Sequence, residues 1–342
     1  MEILVLCIAA LAIFCVVMVF YPGSNEEYFL GGSLNQKIQQ NIISAENNSS
    51  NQKPSPVTFY DNEMGSNNEE DSRFFRPSTG KQVANPYSYR KLKGNHEFPV
   101  FDTPKDVLYA YFGVLREASL SEVETEGGGM IGDAQAPYPL AYELFDSQRQ
   151  LSMNLWDFKN SFLGVHHINL LRVEEAYTPK QLGQFVKTYF FEIETIEGCK
   201  EDNCPFYEDQ GVFAYYYGIA SIMKEGNIGY RIVDLVFVPE NWLCAPYHGW
   251  RYDAKHIVQI VFENNVHLIS KITAYEEEDG LIRITGSGKQ GTYRFEFVRL
   301  TNGFDVLIRQ FHWKNDEWQE DNYLPEEWYY LFLTREILHS KK

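Results

Sequence analysis

The feature that most constrains this chain is the charge-free run from Ile3 to Phe20, ILVLCIAALAIFCVVMVF. At ~1.5 Å per helical residue it comes close to the ~30 Å hydrocarbon thickness of a bilayer. A backbone in lipid must satisfy its own hydrogen bonds, so the run is expected to be a transmembrane helix. Tyr21 stands at its end, where an interfacial aromatic is favoured. A cleaved signal peptide wants a basic start and a small-residue cleavage site. Here Met1-Glu2 precedes the run and Phe20-Tyr21-Pro22-Gly23-Ser24 follows it. A lipoprotein signal wants a small residue before its cysteine, whereas Phe14 precedes Cys15. The expectation is an uncleaved single-pass anchor over residues 1–21.

The flanks do not orient that anchor, because the first lysine is Lys37. Two cysteines in a short polar loop, Cys199-Lys-Glu-Asp-Asn-Cys204, read as a disulfide pair outside the cytosol or as half a metal site inside it. No second half with ligand spacing follows, so the soluble part is expected outside the cytoplasm, with no metal. The formal net charge of -17 argues against nucleic acid, which needs clustered lysine and arginine.

Residues 22–100 are rich in Asn, Ser, Gln, Glu and Pro. Stretches such as Ser66-Asn67-Asn68-Glu69-Glu70-Asp71 bury too little apolar surface to offset ordering, so a flexible tether is expected. Sequons at Asn47 and Asn48 matter only in a eukaryotic secretory pathway, and chance matches are common in such composition.

Beyond the tether the pattern changes. Thr103 suits an N-cap, Pro104 the first helical position and Asp106 the first turn. Val107, Leu108, Tyr111, Phe112 and Leu115 then share one helical face. A second helical stretch, whole or broken in two, is expected over Pro139–Phe162, with Leu140, Leu144, Leu151, Leu155 and Phe158 in the core. Strands are expected at Val165–Glu174, Phe185–Ile196, Val212–Lys224 and Gly229–Pro239, with a hairpin turn at Lys224–Ile228.

Helices followed by an antiparallel meander make an α+β arrangement, placed at residues 101–249. It resembles the cone-shaped fold of the nuclear-transport-factor-2-like superfamily, in which helices pack into the concave face of a curved sheet. The resemblance is architectural and covers under half the chain. It implies a cavity in which enzymes of this fold use Asp, His or Tyr as acid or base. Tyr142, Asp146, Trp156 and His166 are the candidate cavity residues on that basis. Solvated helix surface is the ordinary place for Asp146 and Asp157. A hydrogen-bonded core position is the ordinary place for a single histidine such as His166.

The remainder, residues 250–342, is read as a β-rich domain or extension. Strands are expected at Ile257–Phe262, Val266–Tyr275, Leu281–Thr285, Thr292–Leu300 and Phe304–His312, and a closing helix at Trp328–Leu338. Tyr293, Phe295 and Phe297 alternate with Arg294 and Glu296, the pattern of a half-buried strand. Gly286-Ser287-Gly288-Lys289-Gln290-Gly291 matches a dinucleotide fingerprint, but a strand follows it instead of a helix, so a hairpin loop is expected. His248 and His256 have no metal spacing.

These residues imply no cofactor. They point to a membrane-anchored extracytoplasmic interaction or scaffold protein with a protein partner. By analogy with tethered domains of the same fold, a subunit of a conjugation- or secretion-like envelope assembly fits this description. A small-molecule binder or hydrolase using the cone cavity is the second reading.

Overall fold

The computed structural model describes residues 28–34, 83, 87, 92, 100–119, 137–198, 212–240 and 253–324. The apolar run Ile3–Phe20, the Cys199/Cys204 pair, His248, both sequons and the segment Trp328–Leu338 lie outside them. Among the described residues no helix is long and apolar enough to cross a membrane.

The chain is α+β. Strands β1 (Tyr28–Phe29) and β2 (Gly32–Leu34) come first. Helix α1 (Pro104–Ser119) follows, then α2 (Pro137–Tyr142), α3 (Ser147–Ser152) and α4 (Leu155–Asn160). Strands β3 (Val165–Ala176), β4 (Val186–Glu197), β5 (Val212–Glu225) and β6 (Gly229–Pro239) complete the first sheet, ordered β1-β2-β6-β5-β4-β3. Helix α5 (Ala254–Ile257) runs on as wider turns through Val258–Asn265, closed by a bond from Val266 N–H to the Val261 carbonyl. Strands β7 (Lys271–Glu278), β8 (Leu281–Gly288), β9 (Gly291–Arg299), β10 (Asp305–Lys314) and β11 (Glu317–Asp321) form a second sheet, an antiparallel meander.

Thr103 caps the start of α1. The Asp106 N–H donates to Thr103 Oγ1 at 3.3 Å, and that hydroxyl donates to Asp106 Oδ2 at 2.7 Å. Val107, Leu108, Tyr111, Phe112 and Leu115 are all buried, as their spacing predicts. They meet the inward positions of the first sheet, Tyr189, Phe191 and Ile193 on β4 and Ile232, Leu235 and Phe237 on β6.

The intervening positions face the other way. Phe190 on β4, Tyr217 and Ile219 on β5 and Val238 on β6 pack against Val298, Leu300, Val306 and Ile308 of the second sheet. The far face of that sheet buries Tyr293, Phe295 and Phe297 under Val258, Val261 and Phe262. The layers are therefore helices, first sheet, second sheet, helix.

Several elements differ from the sequence expectation. Residues 28–34, inside the segment assigned to the tether, belong to the first sheet, where β2 pairs with β6 in parallel. Val83 also docks, its N–H donating to the Leu170 carbonyl at 2.8 Å. The second helical stretch is three short helices, because Asp146 and Asn154 each cap a fresh start. Leu151 is exposed where a core position was expected. The expected strand at Ile257–Phe262 is helical, and Asp253 caps its start through the His256 N–H. The strand expected from Val266 begins at Lys271.

Candidate functional site: an arginine and aromatic face beside an inter-sheet cleft

The second sheet meets the first over only part of its width. Leu281, Val298, Val306 and Ile308 fill the junction. Register carries the same face onward through Arg283 and Glu296, opposite each other on β8 and β9, then Arg309 opposite Glu296 and Phe311 opposite Arg294. This continuation passes β3, the edge strand of the first sheet.

Cross-strand stacking organises it. The Arg294 guanidinium lies 4.4 Å from the Phe311 ring centroid and 4.7 Å from that of Trp318. Such contacts contribute about 0.5–1 kcal/mol each where partly exposed. Arg309 also covers Phe311, at 4.7 Å. Trp313 and Trp318 stand opposite each other across the β10–β11 hairpin, with ring centroids 5.1 Å apart. Trp313 is 41% exposed. Carboxylates hold the arginines in place. Glu296 lies 3.4 Å from Arg283 Nε and 3.3 Å from Arg294 Nε, while Arg309 Nε donates to Glu320 at 2.7 Å. Burial lowers the Arg294 pKa and nearby Glu296 opposes that shift. The guanidinium remains charged at neutral pH.

Where this face reaches the first sheet it borders a cleft of about 570 Å³. One wall is the start of α1 with Lys105, another is β3 with Glu174 and Glu175, and the third is Arg283, Glu296 and Arg309. Arg309 Nη1 closes part of it by donating to Glu175 at 3.2 Å. Tyr189 lines it, and burial together with Glu175 pushes its hydroxyl up to about 12, so it remains protonated at neutral pH. The lining holds no histidine, cysteine or serine. Forked guanidinium groups and carboxylates of this kind suit recognition of charged side chains.

The two sheets are joined by buried polar contacts. Glu192 accepts from both the N–H and the hydroxyl of Thr301, each at 2.7 Å. Glu240 accepts from the Asn302 N–H at 3.0 Å, and Tyr177 N–H donates to the Ile308 carbonyl at 2.9 Å. Within the first sheet, Glu194, fully buried, accepts from Tyr215 at 2.9 Å and Asn169 at 3.3 Å.

The cavity residues proposed from sequence sit elsewhere. None of the four lines the cleft. Tyr142 donates to the carbonyls of Gln150 and Met153, both at 2.8 Å, and its ring lies 5.6 Å from that of Phe158. Asp146 is buried and caps α3 by accepting from the Arg149 N–H at 2.9 Å. Burial raises its carboxyl pKa against the pull of that bond. A buried cap replaces the solvated helix surface that is ordinary for aspartate. Trp156 is 70% exposed on the first turn of α4. His166 opens β3 with its ring against Gly198, where a Cβ would lie 2.2 Å from Nε2.

The glycine-rich stretch is the expected hairpin, with Gly288 paired to Gly291 across Lys289-Gln290. His312 explains its last glycine. The ring stacks on Tyr293 at 4.4 Å, and Nε2 lies 3.1 Å from the Gln290 carbonyl. A Cβ on Gly291, at φ 137°, would stand 2.8 Å from that nitrogen. Among the described residues no group of three or more His, Cys, Asp or Glu side chains is placed to hold a metal ion. No protein-family model matches this chain, and no curated protein matches it.

Arg283, Arg294, Arg309, Trp313 and Trp318 are the residues that sequence reasoning missed. Arg309-x-Phe311-x-Trp313, followed by a two-residue turn and Trp318, carries their alternation. Their stacking depends on cross-strand register, which alternation alone does not give.

Proposed function

We propose that this protein is a membrane-anchored, extracytoplasmic interaction or scaffold protein that meets a protein partner through its arginine and aromatic face. The supporting observation is a contrast in how rings are used. The helix-facing side of the first sheet is filled by Tyr111, Phe112, Phe145, Phe158, Phe191 and Phe237, each no more than 1% exposed. A cone-fold enzyme or small-molecule binder needs an open cavity on that side. The second sheet instead presents Trp313, Trp318 and three arginines, two of them stacked on rings and the third paired with Glu296. Trp and Arg are the residue types enriched where binding energy concentrates in interfaces.

In this reading Ile3–Phe20 is the anchor and the first sheet with its helices is a cone-like body of the nuclear-transport-factor-2-like kind. The partner belongs to an envelope-spanning assembly. The second sheet makes the contact.

The test is site-specific photo-crosslinking of the full chain in native membranes. A photoreactive residue replaces Trp313 in one variant and Ile260, exposed on the helical side of the second sheet, in another. A discrete protein adduct from position 313 and none from 260 is expected. The absence of an adduct at 313, or identical adducts at both, would overturn the proposal.

A further inference from the structure

We infer that the end of the molecule formed by α3 and α4, centred on Leu151 and Trp156, lies against a lipid surface. The inference rests on the reading of Ile3–Phe20 as a membrane anchor and adds the side of the body that faces the bilayer.

The first observation is where the chain joins the fold. Residues 28–34 are held firmly. Leu30 is fully buried, its N–H donates to the Ser161 carbonyl at 3.1 Å, and its carbonyl accepts from the Tyr111 hydroxyl at 2.6 Å. The Gly31 N–H donates to Ser161 Oγ at 2.8 Å, and Ser33 and Leu34 pair with Val236 and Phe237. Gly32 lies so close to β6 that a Cβ there would be 2.3 Å from the Leu235 carbonyl oxygen.

The second observation is chain length. Only residues 21–27 separate Phe20 from Tyr28. Seven residues reach roughly 25 Å at full extension. Whatever path they take, Tyr28 stays within about that distance of the end of the apolar run. A tether of residues 22–100 would have allowed the body to stand far from the membrane and to turn freely. Attachment at Tyr28 keeps the body close to the bilayer and narrows the sides it can turn toward it.

The third observation is what surrounds Tyr28. Its hydroxyl donates to the Ser152 carbonyl at 3.3 Å, and the Arg149 guanidinium lies 5.3 Å from its ring centroid. Leu151, next to Ser152, is 80% exposed, and Trp156 follows on α4. These are two of the three most exposed large apolar side chains among the described residues. Leu163, two residues beyond the Ser161 that holds Leu30, is also exposed. An isolated exposed leucine means little. Leucine and tryptophan together beside the point of attachment match the preference of both for the bilayer interface. Asn154 accepts from the N–H groups of Trp156 and Asp157, both at 2.9 Å, so the tryptophan stands on a fixed turn.

The experiment uses the full chain reconstituted in phosphatidylcholine vesicles whose acyl chains carry bromine near the headgroup. Bromine quenches only tryptophan that reaches the interface. Wild-type emission is expected to show a quenched component that Trp156→Phe removes and Trp313→Phe leaves in place. Flotation after an alkaline wash reports the anchor separately. A chain that fails to float with the vesicles would overturn the anchor and this surface together. A chain that floats but shows the same quenching with and without Trp156 would overturn this surface alone. So would one that shows no quenching, the result also expected if a protein covered Trp156.

Discussion

The two sheets of this molecule are built from similar hairpins but bury themselves differently. The first is covered on both faces, by helices on one side and by the second sheet on the other. Its central strands lose alternation, and every residue of β5 from Tyr215 to Ile222 is buried. The second sheet is covered over its central strands on one face and only partly on the other. β8 alternates along its length, and β7 is exposed throughout apart from Ile272. A strand buried on both faces has no side chains left to offer a partner, so the surface available for recognition lies where alternation survives.

The largest effect expected from breaking this contrast is at Phe191. Its ring lies 5.4 Å from that of Phe112 and 5.1 Å from that of Phe237, in a fully buried setting. Phe191→Ala should cost about 3–5 kcal/mol in urea unfolding through lost burial and the cavity left behind. Trp313→Ala should cost less, about 0.5–1.5 kcal/mol for the lost ring pair with Trp318. Equal losses at the two positions would mean that Trp313 is part of the core and that the contrast between the sheets is false.

A middle-sized effect is expected where the sheets meet. Glu192→Ala removes the acceptor of two bonds from Thr301, and bonds to a charged group contribute about 1.5–3 kcal/mol. The loss should fall on the junction. Urea unfolding followed separately by tryptophan emission and far-ultraviolet dichroism should split into two transitions in the variant. A single coincident transition at unchanged midpoint would show that the junction depends on its apolar contacts alone.

Much of the first sheet was legible because its signals are local. The Thr103 cap, the apolar face of α1 and the hairpin at residues 224–228 are all set within a few residues. The second sheet was legible in β8 and the first half of β9, where alternation is regular, and in β10, which is mostly buried, through its apolar content. Ile257–Phe262 misled because its β-branched residues favour a strand. The residues buried there, Ile257, Val258, Val261 and Phe262, follow helical spacing, and Asp253 supplies the cap. Propensity lost to packing against Phe295, whose ring lies 4.2 Å from that of Phe262. β1 and β2 are too short to show a period. Their turn depends on Leu30 and Gly31, at φ 49° and 75°, and only the second of these announces itself by residue type. β11 is also short, but Asn315-Asp316, both at positive φ, is a readable hairpin signal. The site followed the same rule. Arg294 was visible as an outward position, but its place between Phe311 and Trp318 required the register of three strands.

The smallest effect separates the sheets by pH. His167 lies near the start of β3, in the first sheet. Burial lowers its pKa, Arg116 lowers it further, and Glu194 opposes them. A histidine depressed in the folded state binds fewer protons there than in the unfolded chain, so stability rises with pH across the window between the two values. Its contribution is complete above the unfolded value of about 6.5 and is lost as pH falls below it. Asp146 acts in the opposite sense, because a carboxyl raised by burial favours the folded state as the pH drops, but it does so in the acid range near the ordinary carboxylate value of about 4. The two windows are therefore distinct. Urea midpoints measured from neutral pH to pH 5 should decline in the wild type and decline less in His167→Gln. His167 lies in the first sheet, so the decline should follow probes of that sheet. An unchanged slope in His167→Gln would place the acid sensitivity elsewhere and remove pH as a way of telling the two sheets apart.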